Sequence, residues 1–595
     1  MSGGPTHPIT VFPARKVLTM TPSLPEASAV AVADGRIVAV GSLDSMRPWL
    51  NRHEYVVDER LSDKVVLPGF IDPHVHPSLP AVLTQFPFLA PEDWNLPTGR
   101  FAGATTPDAF RTRLRDLVDA HPDWSVPFVA WGYHPLWHGP IGRPELTAMF
   151  GTRPVILWHR SFHELIANDG AIDWMGLSEQ QFADLPEVDW ERGRFWENGA
   201  LALVGASRLP QLLFEPARYG EGMANFFRMV HLAGVTTCLD MGVGSMGNPE
   251  NEIRLINRIS REIDAPSRIV LTPLISDFLA RGVTPQEAVA VVAEWAQMTS
   301  GRVGFDHHFK LMMDGAIFSG MAQFGYPGYL DGHTGMWMAP LQVTRTWAEV
   351  FWREGYQLHA HTVGDLSAEA LIDLVRHLQW IHPRIGHRTV LEHFGYTTEE
   401  QNLQMRELGM VVSANPYYHY LLSDIYISEW LGSDRGAELV RLGSLERLGV
   451  PFGLHSDCPM APLAPLTLAW VAARRITING NLNCAQERIS LHAALRAITI
   501  DAAWIMRKEN DLGSIRAGKY AHFTVLEDDP YQVGVDGLKD LTHLGNGVRG
   551  AGPITAIVTP RRRIADPAGQ RRPRPASRTR TYQLGARACR IVLDG

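Results

Sequence analysis

The chain has 595 residues, 45% of them hydrophobic, with a formal net charge of -8 and a pI near 6.3. This charge provides no basic field for nucleic acid, no apolar run of about 18 residues suggests a membrane span, and the length exceeds one ordinary domain. Four dispersed cysteines, Cys238, Cys458, Cys484 and Cys589, form no C-x-x-C pair, which argues against a disulfide framework or a thiolate zinc site and for reduced thiols in a cytoplasmic protein without a signal peptide.

The first 66 residues read as short antiparallel strands. In "AVAVADGRIVAVG" an Asp34-Gly35 turn separates two Val/Ile/Ala-rich runs, the pattern of a hairpin. "LGSIRAGKYAHFTVLEDDP" and "PITAIVTPRRRI" near the other end have the same texture, so both ends are expected to share one sheet.

"LPGFIDPHVHP" follows, from Leu67 to Pro77. It is an apolar strand ending in two histidines one residue apart. Alternation puts His74 and His76 on one face, where two imidazoles can hold a metal.

Beyond it the texture changes to apolar strands followed by capped helices. "TPDAFRTRLRDLV" places Thr106 at an N-cap and Pro107 at N1, with Phe110, Leu114 and Leu117 on one face. In "TPQEAVAVVAEWAQM" Thr284 and Glu287 form a capping box. Strand candidates "TTCLDMG", "QLHAHTVG", "TVLEHFG" and "FGLHSDCP" alternate with such helices, which predicts βα units and a parallel sheet.

Lysine is rare, with six in all. One of them, Lys310, lies in "FDHHFKLMMDG", and His361, His393 and Asp457 each sit near the end of another strand-like run. His361 and His393 are about 32 residues apart and His393 and Asp457 about twice that, the length of one and two units of an eight-unit barrel of about 250 residues. Lys310 then ends strand four, His361 strand five, His393 strand six and Asp457 strand eight. The long interval from His74 to Lys310 calls for about 130 inserted residues between the first and fourth strands. The tryptophan- and proline-rich region 85–215 is the candidate. The Arg/Pro-rich residues 571–595 read as a solvated tail, with an arm to a neighbouring subunit as the alternative.

Taken in order, "GFIDPHVH", "KLMMDG", "HTVGD", "LEH", "SDCP" and the terminal "LGSIRAGKYAHFTVLEDDP" resemble the amidohydrolase superfamily. The similarity is to its branch of YtcJ-like metal-dependent hydrolases, which includes N-substituted formamide deformylases. The resemblance implies an α/β fold: a (β/α)8 TIM barrel over residues 67–504 with a small β-sandwich built from residues 1–66 and 505–570. It implies two divalent metal ions, zinc being the expected metal, with His74, His76 and Asp457 on the first and His361 and His393 on the second. Lys310, carboxylated by carbon dioxide, would bridge them, and Asp457 would also carry the proton in hydrolysis of an amide- or formamide-type C-N bond by a metal-bridging hydroxide.

His163, followed by Asn168 in "HRSFHELIAN", resembles a residue that polarises the substrate carbonyl. A structural histidine in the insertion is an equal reading. His307, His308, His359 and His455 are read as structural histidines. After "KLMMDG" many relatives have a polar run, whereas this chain has "AIFSGMAQFGYPGYL", which favours a small-molecule substrate with an apolar or aromatic group. In place of the usual Ala-Asp after Gly-Lys the chain has "YAHF", with His522. An ester or carbamate hydrolase on the same site is the alternative. A mononuclear deaminase is disfavoured by Gly364, where such enzymes carry a glutamate, and by Lys310. A metal-free binding module would leave ionisable groups clustered in a pocket at a cost of several kcal/mol. Homo-oligomer formation is left open.

Overall fold

Asp34 and Gly35 both adopt positive φ, 50° and 74°, the backbone that a two-residue turn between twisted strands needs. They join strands Glu26–Ala33 and Arg36–Gly41 in the expected hairpin. The computed structural model describes residues 8–541 and the strand Thr555–Ile557. The proposed tail at 571–595 and Cys589 lie outside the described residues.

Strand Ile9–Leu18 pairs with Glu26–Ala33, and Val65–Pro68 is hydrogen-bonded on one side to Ile9–Leu18 and on the other to His522–Leu526. The two ends of the chain therefore share one seven-stranded sheet. Alternation gives it two apolar faces, one packing Val11, Ala29 and Ala31 under Met46 and Leu50, the other gathering Val30, Val32, Phe523 and Val525. The Gly-Lys motif of the last turn has a local purpose: Lys519, nearly buried, donates from Nζ to Leu512 O (2.9 Å) and Ser514 Oγ (2.7 Å).

Eight parallel strands hold the candidate site. Phe70–Val75, Val235–Val243, Arg268–Pro273 and Val303–Phe305 pair in that order. His308–Met312 continues the fourth strand after a two-residue break and pairs onward with Gln357–Thr362, Val390–His393, Val411–Ala414 and Phe452–Leu454. Single parallel bridges, Leu274 to Lys310 and Val75 to Cys458, connect the two arcs. This is the strand order of a (β/α)8 barrel.

Helices Pro285–Gln297, Leu341–Arg353 and Asp365–Ile381 lie between these strands in sequence. Thr284 Oγ1 accepts from Glu287 N and Glu287 answers at Thr284 N, the expected capping box. In the fourth strand Phe309 stacks on Phe351 of a covering helix, ring centroids 3.5 Å apart. Side chains alternate, so His308 and Lys310 point the other way, to the inside.

The insertion falls between the first and second strands, since the second begins at Val235. It carries its own five-stranded sheet, from Phe128–Tyr133 to Arg194–Trp196, with Val188–Asp189 at its edge. Thr106 caps helix Pro107–Ala120 as read, with Val118 rather than Leu117 completing the buried face of Phe110 and Leu114. No helix of the described residues is long and apolar enough to cross a membrane.

Candidate metal centre

His74 is the next-to-last residue of the first strand and His76 follows the strand, with backbone bonds tying both to the segment after the eighth strand: Asp457 N donates to His74 O (3.0 Å) and His76 N to Cys458 O (3.1 Å). The three side chains converge. His74 Nε2 lies 3.3 Å from His76 Nε2, and Asp457 Oδ1 lies 3.3 Å from the first and 3.1 Å from the second. Tetrahedral ligand atoms about 2.0–2.1 Å from a zinc-like ion stand about 3.3 Å apart, so the triangle has the dimensions of three corners of such a site. His76 reaches this position because residue 242 is glycine; a Cβ there would stand 2.6 Å from His76 Nδ1.

His393 ends the sixth strand in the left-handed region, φ 75°, and Asp457 follows the eighth at φ 54°. These conformations cost a non-glycine residue about 1–3 kcal/mol and here turn both side chains toward the centre. His393 Nδ1 is 3.5 Å from Asp457 Oδ2, and its ring lies 4.4 Å from that of His361, centroid to centroid. His74, His393 and His455 form a second group whose donor atoms all lie within 4.8 Å of one another. His361 is beside this group rather than in it.

Several polar atoms at the centre are orphaned. Lys310 Nζ, His361 Nε2 and His455 Nε2 are buried without a hydrogen-bond partner. Lys310 is 1% exposed, and burial lowers its pKa to about 8 against the pull of Glu392 and Asp457. Burial first, then the Lys310 charge, depresses His74, His361 and His455 well below the usual histidine range. Neutral imidazoles and carboxylates suit divalent cations.

Beneath the centre lies a buried chain of hydrogen bonds that the sequence reading missed. Glu392 Oε2 accepts from His74 Nδ1 (2.7 Å), Glu392 Oε1 from His359 Nδ1 (2.6 Å), and His359 Nε2 lies 3.1 Å from His308 Nδ1. His359 and His308 have the structural role expected of them. His455 was placed with them, but joins the metal-type cluster while Ser413 Oγ bonds its Nδ1 at 2.7 Å. The signal was available: His455 stands two residues before Asp457, the same spacing as His74 and His76. Glu392 was hidden by its position next to His393, because adjacent strand residues normally face opposite ways.

His163, from the insertion, is bonded through Nδ1 to Glu197 Oε2 at 2.8 Å. Burial lowers its pKa, but the Glu197 carboxylate outweighs this and the result is raised, with Asp457 contributing. Asn168 is separate from this site: its Oδ1 caps helix Asp169–Met175 at Ala171 N and its Nδ2 bonds Arg153 O. Asp314 of "KLMMDG" pins the next strand's loop by accepting from Val363 N (3.0 Å) and Gly364 N (2.9 Å). Gly364 is needed there, since a Cβ would stand 1.9 Å from Gln323 O. The aromatic loop after it places Phe318 edge-on to Tyr418, centroids 5.6 Å apart.

The profile of the Amidohydrolase family matches residues 57–551. The N-substituted formamide deformylase of Arthrobacter pascens is 24% identical over 573 residues, covering 88% of this chain and 94% of that one. The putative amidohydrolase YtcJ of Bacillus subtilis is 22% identical, covering 87% and 94%. Among solved structures, an uncharacterized metal-dependent hydrolase from Pyrococcus horikoshii superposes with a TM-score of 0.66 at 18% identity, over 89% of this chain and 99% of that one.

Proposed function

We propose, from the premise that this chain belongs to the amidohydrolase family, that it hydrolyses an amide- or formamide-type C-N bond of a small molecule at a two-metal centre. The observation that carries this reading is the triangle of His74 Nε2, His76 Nε2 and Asp457 Oδ1 at 3.1–3.3 Å. Lone pairs so close repel one another unless a proton or a metal cation lies between them, and the 3.3 Å spacing is that of ligand atoms around a tetrahedral ion.

In this reading His74, His76 and Asp457 would hold one divalent ion and His361 and His393 a second, with zinc as the expected metal, and Lys310, as a carbamate, would supply further oxygen ligands. His455 stands close enough to join. Bound there, the ions supply an activated water and a Lewis acid for the carbonyl. The buried Lys310 amine, brought to about 8, is partly neutral near pH 7–8 and so able to take up carbon dioxide. Asp457 receives the proton of the attacking water and delivers it to the leaving nitrogen. His163, oriented by Glu197, donates to the substrate carbonyl oxygen. The aromatic- and methionine-rich loop 316–330 supports a substrate with an apolar or aromatic group. The name of the Arthrobacter relative, an N-substituted formamide deformylase matched over 94% of its length, favours the C-N bond over the ester alternative.

The test is a panel of N-formyl, N-acyl, carbamate and ester compounds bearing aromatic groups, with protein purified without chelator and its metal content measured. Two ions per chain and turnover of the formamides or amides are expected. Turnover of esters alone would replace the C-N reading.

A further inference from the structure

The two oxygens of Asp457 face different partners. Oδ1 looks at the His74 and His76 nitrogens, 3.3 and 3.1 Å away. Oδ2 is turned to the phenol of Tyr418 at 3.4 Å, with His393 Nδ1 at 3.5 Å. The same phenol oxygen lies 3.3 Å from His393 Nδ1. We propose that Tyr418 is a positioning residue that reserves Oδ2 of Asp457 for proton transfer, leaving Oδ1 for the metal side. This rests on the hydrolase reading above and adds to it a residue from outside the motifs.

The local fold is built for that geometry. Tyr418 is 3% exposed in the first turn of helix Tyr417–Ile425, after the seventh strand. Asn415 ties that helix to the loop of Asp457: its Oδ1 accepts from Tyr417 N (3.0 Å), and its Nδ2 donates to Ser456 O (3.2 Å), one residue before the aspartate. Phe318 backs the phenol ring. A carboxylate with one oxygen unheld can swing both toward a cation. A neutral O-H donor on Oδ2 opposes that swing, and such contacts are commonly long before substrate binds and tighten in the reacting complex.

The step served is the second proton transfer. As the C-N bond of the tetrahedral adduct breaks, its electron pair goes to nitrogen. The proton that Asp457 took from the attacking water passes from Oδ2 to that nitrogen, and Asp457 returns to a carboxylate. Strongly basic leaving amines need this proton, whereas weakly basic ones leave without much help.

Tyr418→Phe keeps the ring and removes the O-H. In the full chain loaded with zinc, kcat and KM are compared for the N-formyl derivatives of benzylamine and of 4-nitroaniline. The benzylamine compound should lose about 30-fold or more in kcat, the nitroaniline compound less than about 3-fold, with KM and metal content near wild type, since general acid catalysis supplies about 10²–10⁴-fold in rate. Added to Asp457→Asn, Tyr418→Phe should cost nothing further, because residues that act as a unit are not additive. Equal losses on both substrates, loss of metal, an unchanged benzylamine rate, or additivity with Asp457→Asn each overturns the assignment. Wild-type protein that turns over neither compound nor any amide of the panel removes the hydrolase reading, and this inference falls with it.

Discussion

His74 Nδ1 donates to Glu392 Oε2 across 2.7 Å, and neither side chain has any solvent exposure. With Glu392 ionised, as bound cations would favour, Nδ1 carries the proton and the lone pair of Nε2 points at His76 and Asp457, so the tautomer required of a metal ligand is set from below. Glu392 also accepts from His359 and thus serves two imidazoles at once. Burial pushes its own pKa up to about 8, a value the field of bound cations would lower.

Glu392→Gln offers one acceptor and one donor where two acceptors are needed, so His74 or His359 must change tautomer or lose its bond. The expected outcome is metal binding weakened about 10–100-fold, the usual cost of losing such an orienting partner. Metal titration of the purified variant by calorimetry checks this. Wild-type affinity would show that the chain beneath the centre does not orient His74.

The buried histidines predict how stability depends on pH in metal-free protein. His74, His308, His359, His361, His393 and His455 all have folded pKa values well below 6.5. The unfolded chain therefore binds more protons than the folded one below about 6.5, and each such group contributes about 1.4 kcal/mol per pH unit in the falling range. Asp72 and Glu392, raised by burial to about 7 and about 8, act in the opposite sense, losing stability as pH rises from their unfolded values toward those. Elsewhere Asp240, Glu252 and Asp314 act with the acids, and His134, His138, His159, His419 and His522 with the histidines; the histidines are the larger group, so the melting temperature should drop steeply below pH 6.5. A melting temperature independent of pH between 5 and 6.5 would contradict the burial of this cluster.

Asp457→Asn should lower kcat by about two orders of magnitude or more while KM changes much less, because the proton carrier is lost but the substrate pocket is not. The amide keeps one oxygen for the His74 side but cannot take up a proton. Steady-state kinetics on metal-replete variant measure it, and a near-normal kcat would remove Asp457 from the mechanism.

Lys310→Ala should lose at least one metal and most activity. An ammonium would repel two dications, and a neutral amine reaches only one of them, whereas a carbamate has an oxygen for each. Added acetate or propionate can enter the cavity left by the side chain, so partial rescue by carboxylate and none by an alkylamine is expected. Two retained metals and full turnover with no additive would mean that the centre is held without this bridge.

The sequence by itself carried what depends on local pattern. The His74-Val75-His76 alternation, the Asp34-Gly35 turn, the Thr284 capping box and the regular intervals from His361 to Asp457 each follow from a strand period, a cap or a unit length, all written in consecutive residues. Partners that meet through space were not legible. Glu392, near the end of the sixth strand, and Tyr418, in the helix after the seventh, reach the centre only after the strands curl into register, and His455 reads as an ordinary core histidine until His74 and His393 arrive beside it from residues far away in the chain. Asn168 shows the converse: it sits near His163 in sequence, yet the extended strand Glu164–Ala167 between them carries it away to a helix cap. The reason is the same in each case. A side chain's chemistry is set by which groups share its desolvated space, and in a fold of parallel strands joined by long crossovers those groups come from distant segments.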